Sequence, residues 1–202
     1  MAAEFDREQL LAAFDDIGTA AVEAGTCLDI AVFGGSALML ASNFRYSTED
    51  VDIHEIGQPW PSWLSEVVAR IAKKNEWSDH WLNDAVTFHL SPAARPEEDL
   101  VVFGTFPRSL GEVGLRVFVP TARYLLALKL KALRVANYEK GSKDLADVAN
   151  LLRVLQIRDV AAAVDILGEY FPKSAAHADK QRFVLKRLLA DESPTHAPRY
   201  PC

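Results

Sequence analysis

Hydrophobic residues recur along the first part of this chain with the spacing of a helix and then with that of strands. Between Asp6 and Gly25 an apolar residue returns every three or four positions, which predicts an amphipathic helix with an Asp6–Gln9 capping box. Short apolar and β-branched runs at 28–33 and 51–56 each predict a buried strand. The intervening residues predict a short helix at 36–42.

After residue 60 the pattern is mixed and then helical. Residues 61–74 carry an apolar stripe at helical spacing, and 100–103 and 115–119 predict two strands joined as an antiparallel hairpin. The segment 77–84 has no clear period. Four further helices are predicted, at 121–135, 142–155, 159–170 and about 176–189.

The composition is that of an ordinary globular protein. The 202 residues are 50% hydrophobic and 25% charged, enough for one substantial core. Cys27 and Cys202 form no recognisable disulfide or zinc pattern, which favours a reducing compartment. The acidic N-terminus and the lack of a membrane-length apolar run predict a cytoplasmic protein without a membrane segment.

Charge is unevenly distributed along the chain. The net charge of −6 argues against a protein that coats nucleic acid. Residues 1–60 hold eleven acids against two bases, whereas residues 121–153 hold seven bases against three acids. The acidic and basic parts could bind a metal-bound polyphosphate between them. Alternatively, they are two solvated surfaces of opposite charge, which would explain the same numbers of acids and bases.

A glycine–serine turn stands out after the first predicted strand. Gly34 and Gly35 allow a sharp turn and the close approach of a ligand, and Ser36 opens a helix whose free amides favour an anion. These three residues are candidate phosphate ligands. Arg45 and Thr48, further on, either contact phosphate as well or cap the next strand.

Two aspartates follow this turn. Asp50, Asp52 and His54 alternate along a predicted strand, so their side chains share one face while Val51 and Ile53 pack on the other. Two carboxylates on one face repel each other unless a cation lies between them. Oxygen ligands of this kind suit Mg²⁺ or Mn²⁺, so Asp50 and Asp52 are predicted metal ligands, and His54 is a further residue that could touch substrate or metal.

The chain thus has Gly34-Gly35-Ser36, then thirteen residues, then Asp50-Val-Asp-Ile53. This order resembles the signature of the nucleotidyltransferase superfamily related to DNA polymerase β. Further motifs are Arg45-x-x-Thr-x-Asp-Val-Asp, Trp81-Leu-Asn-Asp84, Leu125-Leu-Ala-Leu-Lys-Leu130 and Lys143-Asp-Leu-Ala-Asp147. With them, residues 28–153 resemble prokaryotic nucleotidyltransferase-like proteins akin to the toxins of abortive-infection (type IV) toxin–antitoxin systems.

This resemblance implies a mixed sheet with flanking helices and an enzyme that requires magnesium. The implied reaction moves a nucleoside monophosphate from a nucleoside triphosphate such as ATP to an acceptor hydroxyl. In some relatives the acceptor is tRNA, and an antitoxin protein is an implied partner. The resemblance also implies that a lysine and an aspartate, here Lys129 and Asp144, accompany the active site.

Helical geometry can be applied to these two residues independently. Lys129 lies in the middle of the apolar arc of its helix, so it should point inward and meet an anion, either triphosphate or a carboxylate; the alternative is that it extends to the surface. Asp144 lies at the edge of the next apolar stripe and Asp147 further out. Alternatively, Ser142 caps this helix, and either acid only stabilises the first helical turn by its negative charge.

One departure from the superfamily concerns catalysis. Its active members generally carry a third carboxylate on a later strand, and neither 100–106 nor 115–119 contains an acid. Asp84, Asp99 or Asp144 would have to substitute. The hypothesis of an RNA-modifying enzyme therefore has two alternatives. One is a catalytically degenerate protein that binds nucleotide or a partner, and the other is a small-molecule adenylyltransferase of the aminoglycoside-modifying type.

Three parts are predicted along the chain. Residues 1–120 should form the nucleotidyltransferase α/β core, residues 121–190 a helical region that completes the active-site cleft, and residues 191–202 a flexible tail, which contains three prolines.

Overall fold

The computed structural model describes residues 4–57, 59–109, 111–133, 138–190 and 197–201, with only the backbone at 138–140. Packing divides the chain into two compact units. The first comprises residues up to Ala41, Arg45–Phe88 and Leu100–Pro120. The second comprises Ser42–Phe44, His89–Asp99 and residues from Thr121 onward.

A five-stranded mixed sheet lies at the centre of the first unit. The strands of this unit are β1 (Phe5–Asp6), β2 (Leu28–Val32), β3 (Ser47–Thr48), β4 (Val51–Glu55), β5 (Leu82–Asn83), β6 (Leu100–Phe106) and β7 (Leu115–Pro120). The order in the sheet is β5-β4-β2-β7-β6, and β1 and β3 form a separate antiparallel pair. Strand β2 is antiparallel to β4 and parallel to β7, β5 is parallel to β4, and β6 and β7 form the predicted hairpin.

Three α-helices and one 3₁₀-helix accompany this sheet. They are α1 (Arg7–Glu23), α2 (Gly34–Ala41), α3 (Ser62–Asn75) and the 3₁₀-helix η1 (Ala85–His89). The predicted capping box is confirmed: the Asp6 carboxylate accepts from the Gln9 amide, and the Gln9 side chain accepts from the Asp6 amide. Helix α1 packs on β6, β7 and α3, while α2 packs on β4 and β7.

The regular elements in the described part of the second unit are all helices. Its helices are α4 (Pro96–Asp99), α5 (Ala122–Ala132), α6 (Tyr138–Val154), α7 (Val160–Tyr170), α8 (Pro172–Ala176) and α9 (Asp179–Ala190). Helix α5 packs against α6 and α7, and α7 packs against α8 and α9. No helix in the described ranges combines the length and the apolar character needed to cross a membrane.

The fold class is confirmed as a mixed sheet with flanking helices and a later helical region, but several element bounds were wrong. Strand β5 lies inside a segment without periodicity, because two residues are too few to show one. Helix α6 begins four residues before Ser142, so that residue lies inside the helix rather than at its start. Residues 134 and 135 of the helix predicted at 121–135 lie outside the described residues.

The last segment of the chain is described for residues 197–201 alone; residues 191–196 and 202 of the predicted tail lie outside the described residues. The Asn43 side chain donates to the Ala197 carbonyl at 3.2 Å and accepts from the Arg199 amide at 2.7 Å. The Tyr200 side chain is buried, and this burial raises the pKa of its hydroxyl. These contacts tie residues 197–201 to Asn43.

Candidate active site

The candidate site lies where β2 ends and β4 begins. Because the two strands are antiparallel, the end of one is adjacent to the start of the other, and the Phe33 amide donates to the Asp52 carbonyl at 2.8 Å. This pairing places the turn at Gly34 beside the two aspartates.

Gly34 and Asp52 are in direct contact. Gly34 has φ +65°, and a Cβ atom added to it would lie 2.8 Å from Oδ2 of Asp52. The carboxylate therefore rests against the bare Cα of the glycine. Any residue with a side chain at position 34 would have an unfavourable backbone conformation, and its Cβ atom would displace the Asp52 carboxylate.

Gly35 is in similar close contact with the guanidinium group of Arg45. A Cβ atom at Gly35 would lie 2.9 Å from Nη2 of Arg45 and 3.5 Å from Oγ1 of Thr48. The Arg45 Nε also donates to the Ser47 carbonyl at 3.2 Å. Arg45 thus lies over the start of α2, where the first amides of a helix have no acceptor within the helix. A guanidinium and free amides at one place favour an anion such as phosphate.

Two hydroxyl groups hold the backbone of Asp50. Ser36 Oγ donates to the Asp50 carbonyl at 2.6 Å, and Thr48 Oγ1 donates to the same oxygen at 3.0 Å. Both side chains are buried, with 1% and 5% of their surface exposed. Their hydroxyls therefore position Asp50, and what Ser36 offers to a ligand is its backbone amide.

The predicted alternation of buried and more exposed side chains along β4 is present. Val51 and Ile53 are fully buried, Asp52 and His54 are half-buried, and Asp50, immediately before β4, is exposed. The side chains of Asp50 and Asp52 form an oxygen-only donor set, which fits Mg²⁺ or Mn²⁺. In the described part of the chain no three His, Cys, Asp or Glu side chains group together to hold a metal. Two carboxylates would therefore share the cation with water and substrate phosphate.

The strand on the other side of β4 carries an amide beside Asp52. In the parallel pair of β4 and β5, Asp52 is in register with Asn83, so the two side chains share a face. The Asn83 Oδ1 accepts from the Ala85 amide at 3.1 Å. A neutral side chain thus occupies the strand position next to Asp52.

Asp84 follows the end of β5 and is exposed. Burial raises the pKa of Glu55, a backbone hydrogen bond from Trp60 opposes the rise, and the charge of Asp84 adds to it. Asp84 therefore lies close enough to Glu55 to repel its charge.

His54 connects β4 to the 3₁₀-helix η1. Its Nδ1 lies 3.1 Å from Oγ1 of Thr87. This contact holds η1 against the face of the sheet that carries Asp52.

Asp99, the other suggested substitute for a third carboxylate, belongs to the second unit and is buried there. Its carboxylate accepts from the Arg95 amide at 2.7 Å and from the Tyr170 hydroxyl. Burial raises the pKa of Tyr170, and the hydrogen bond to Asp99 adds to the rise. The carboxylate of Asp99 is thus already used within its own unit.

Lys129 is paired within the second unit. Its Nζ donates to Asp144 Oδ1 at 3.0 Å and to Asp147 Oδ2 at 2.8 Å, and 11% of its side chain is exposed. The prediction that it points inward and meets an anion is confirmed, and of the two anions considered, triphosphate or a carboxylate, the structure shows carboxylates. The predicted order of the acids was wrong, because Asp147 is 4% exposed and Asp144 23%. Neither acid lies in a first helical turn, since α6 begins at Tyr138.

A small open cleft of about 100 Å³ lies elsewhere in the first unit. It is at the end of β4 opposite to Asp50, and none of the predicted site residues lines it. Its lining includes Cys27, Asp29, Glu55, Trp60, Leu64 and Arg116. Arg116 and Asp29 form a bidentate ion pair with both contacts at 2.6 Å, so neither charge is without a partner.

Comparison with known proteins gives one similarity. No family model matches the chain, and no curated protein matches it. The crystal structure of an antigenic nucleotidyltransferase-like protein from Paracoccidioides brasiliensis is similar at 15% sequence identity and a TM-score of 0.44. The similarity covers 87% of this chain and 94% of that chain. A likeness of this size identifies no activity for the present chain.

Proposed function

We propose that this chain is a nucleotidyltransferase that moves a nucleoside monophosphate from a nucleoside triphosphate to an acceptor hydroxyl. The observation that carries the proposal is the contact of the Asp52 carboxylate with Gly34 beside the Arg45–Gly35 contact. A carboxylate and a guanidinium, each against a glycine of one turn, place opposite charges side by side, and this arrangement supports the proposal of a cation and a phosphate bound together.

The phosphate side of this site consists of the turn and Arg45. The bare Cα of Gly35 lets the Arg45 guanidinium lie against the start of α2, where it supplies a positive charge beside the first amides of the helix, which would bind phosphate oxygens. Ser36 and Thr48 fix the Asp50 backbone through its carbonyl, so the loop need not reorganise when substrate binds.

The cation side consists of Asp50 and Asp52. A divalent cation bound there, Mg²⁺ or Mn²⁺, would neutralise charge on the triphosphate as the reaction proceeds. In the proposed reaction the acceptor oxygen forms a bond to the α-phosphorus, the bond to the β-phosphate oxygen breaks, and pyrophosphate leaves. The residues of the turn would hold the phosphates in line for this attack.

Finer parts of the proposal are carried by the resemblance of the sequence motifs. They are tRNA as acceptor, a toxin role with an antitoxin partner, and the participation of Lys129 and Asp144. Growth arrest on expression of the wild-type chain, relieved by Asp52→Asn, would support the toxin role. Unimpaired growth with the active wild-type chain would count against it.

The central test is label transfer. Purified protein, Mg²⁺ and each of the four α-labelled ribonucleoside triphosphates are incubated with cell extract. We expect one acceptor to become labelled and Asp52→Asn to lower the rate by about 100-fold or more, because a metal ligand supports several kcal/mol of charge stabilisation. Asp165→Asn, an exposed helical aspartate in the second unit, is the matched control. Equal labelling by Asp52→Asn and wild type would refute the assignment.

The same reaction separates classes of acceptor. If ribonuclease removes the labelled species, the acceptor is RNA. If the label survives ribonuclease and protease and migrates as a small molecule, the small-molecule adenylyltransferase alternative is favoured.

Asn83 favours a second candidate, a protein that binds nucleotide without turnover. An amide in register with Asp52 cannot accept a proton from an acceptor hydroxyl, and β6 and β7 contain no acid. This candidate predicts Mg²⁺-dependent triphosphate binding in calorimetry without pyrophosphate release. Pyrophosphate release that depends on Asp52 would exclude it.

A further inference from the structure

Phe88 is an aromatic side chain at the candidate site that the proposed reaction does not use. Its side chain is 88% exposed, the largest fraction among the exposed large hydrophobic residues of the described chain. It lies in η1, in the unit that contains both aspartates. A single exposed apolar residue is not in itself a binding site, so the position of Phe88 relative to the candidate site has to carry the argument.

The position of Phe88 is set by two contacts with β4. Asn83, at the end of β5, is in register with Asp52, and η1 begins two residues later. Thr87 then contacts His54, which lies two positions from Asp52 on the same face, about 7 Å along the strand. Phe88 follows Thr87 directly, so the contact between Thr87 and His54 holds the backbone of Phe88 near the face that carries Asp52.

The residues next to Phe88 in sequence add little exposed apolar surface. Asp84, Ala85, Thr87 and His89 are exposed and none is a large apolar residue, and Val86 is half-buried. One exposed ring on such a segment offers little area to a protein partner, since stable interfaces bury a large continuous surface. It offers a complete face to one flat ligand.

A nucleobase is the flat ligand that belongs beside a triphosphate site. Bases stack on exposed aromatic side chains with little dependence on their identity, because each base has a π face. We propose that Phe88 is a stacking platform for a nucleobase bound next to Asp50 and Asp52. This inference rests on the proposed function, and the base belongs either to the triphosphate or to an RNA acceptor.

Probes with and without a base test this platform. Binding of ATP, inorganic tripolyphosphate and a short oligoribonucleotide, each with Mg²⁺, is measured by calorimetry for wild type, Phe88→Ala and Phe88→Trp. Phe183→Ala, which removes a 62% exposed ring from the second unit, is the matched control. Thermal unfolding checks that each variant is folded.

Loss of stacking should be selective for probes that carry a base. We expect Phe88→Ala to weaken binding of ATP or of the oligonucleotide by about 5-fold to 100-fold, with Phe88→Trp close to wild type. Tripolyphosphate should bind all variants equally. A loss confined to ATP assigns the base to the triphosphate, and a loss confined to the oligonucleotide assigns it to the acceptor.

Other outcomes overturn the inference. Unchanged binding of both base-containing probes by Phe88→Ala, or an equal loss in Phe183→Ala, excludes the platform. An equal loss for tripolyphosphate shows that Phe88 acts on the phosphate site instead. If wild type binds neither ATP nor tripolyphosphate, the proposed function fails and the inference fails with it. If wild type and Phe88→Ala bind ATP equally well, the inference about Phe88 fails while the proposed function stands.

Discussion

Replacing Gly34 by alanine should separate two physical costs at the candidate site. The first is conformational: an L-residue with a side chain pays about 1–2 kcal/mol to adopt a left-handed backbone. The second is steric, because the new Cβ would lie 2.8 Å from Oδ2 of Asp52. Rotating that carboxylate away from its preferred geometry costs about 0.5–1.5 kcal/mol.

Gly25 provides a matched control for the first cost. It has φ +66°, nearly the same as Gly34, but no atom lies within 4 Å of the position of its Cβ. Gly25→Ala should therefore lower the free energy of unfolding by about 1–2 kcal/mol. We expect Gly34→Ala to lower it by about 1.5–3.5 kcal/mol, the sum of both costs. Urea unfolding followed by tryptophan fluorescence measures both values.

A double-mutant cycle isolates the steric part. In an Asp52→Ala background no carboxylate faces position 34, so Gly34→Ala should cost no more than Gly25→Ala. Displacement of Asp52 should also weaken Mg²⁺-dependent ATP binding by Gly34→Ala about 10-fold or more, with Gly25→Ala unaffected. If Gly34→Ala costs the same in both backgrounds and binds ATP normally, the contact between Gly34 and Asp52 is refuted.

Two further predictions concern the second unit. Lys129→Met should lower the free energy of unfolding by about 3–5 kcal/mol, because it removes the ammonium that binds two poorly exposed carboxylates, whereas exposed Lys186→Met should change it by less than about 0.5 kcal/mol. Equal effects would contradict the buried pairing. The folded-state pKa of Tyr170 is raised, so its contribution to stability is present below its ordinary pKa of 10 and is lost at higher pH. Tyr170→Phe should thus show a smaller fall in melting temperature between about pH 9 and 11; an unchanged fall would contradict this.

Periodicity predicted the elements that bury a continuous face. Helix α1 with its Asp6 cap, strands β2 and β4, and the hairpin of β6 and β7 all contain enough residues to show a repeat. Strand β5 does not, because it has two residues and is defined only by its pairing with β4. The start of α6 was missed because Gly141 and Ser142 usually interrupt helices, whereas here they continue one.

The sequence also predicted that Gly34, Gly35, Asp50 and Asp52 belong to one site, because a turn and an alternating strand each suggest their chemistry. It did not indicate that the hydroxyls of Ser36 and Thr48 meet at one carbonyl oxygen. That contact joins residues fourteen and two positions from Asp50 and depends on how the loop folds. The exposure of Phe88 was likewise not predicted, because the sequence indicated no element at residues 85–89 and an isolated apolar residue is equally compatible with burial.

Asp147 shows the limit of a helical wheel. The wheel placed Asp144 nearer the apolar stripe, yet Asp147 is the more buried acid. A wheel measures the direction of a side chain from its own helix and contains no information on the partner helix. Here the partner α5 carries Lys129, whose ammonium binds both acids and compensates the cost of burying Asp147.

The strand positions beside Asp52 decide which chemistry its face can perform. On one side Asn83 is in register with it, and on the other Phe33 donates its amide to the Asp52 carbonyl and buries an apolar ring. Neither side chain can accept a proton. Asp50 and Asp52 themselves are the ligands proposed for the cation. The two strand positions beside Asp52 therefore supply no base for the proposed reaction, and a base would have to come from elsewhere, for example from His54, two positions along the same face, or from Asp84, which follows β5.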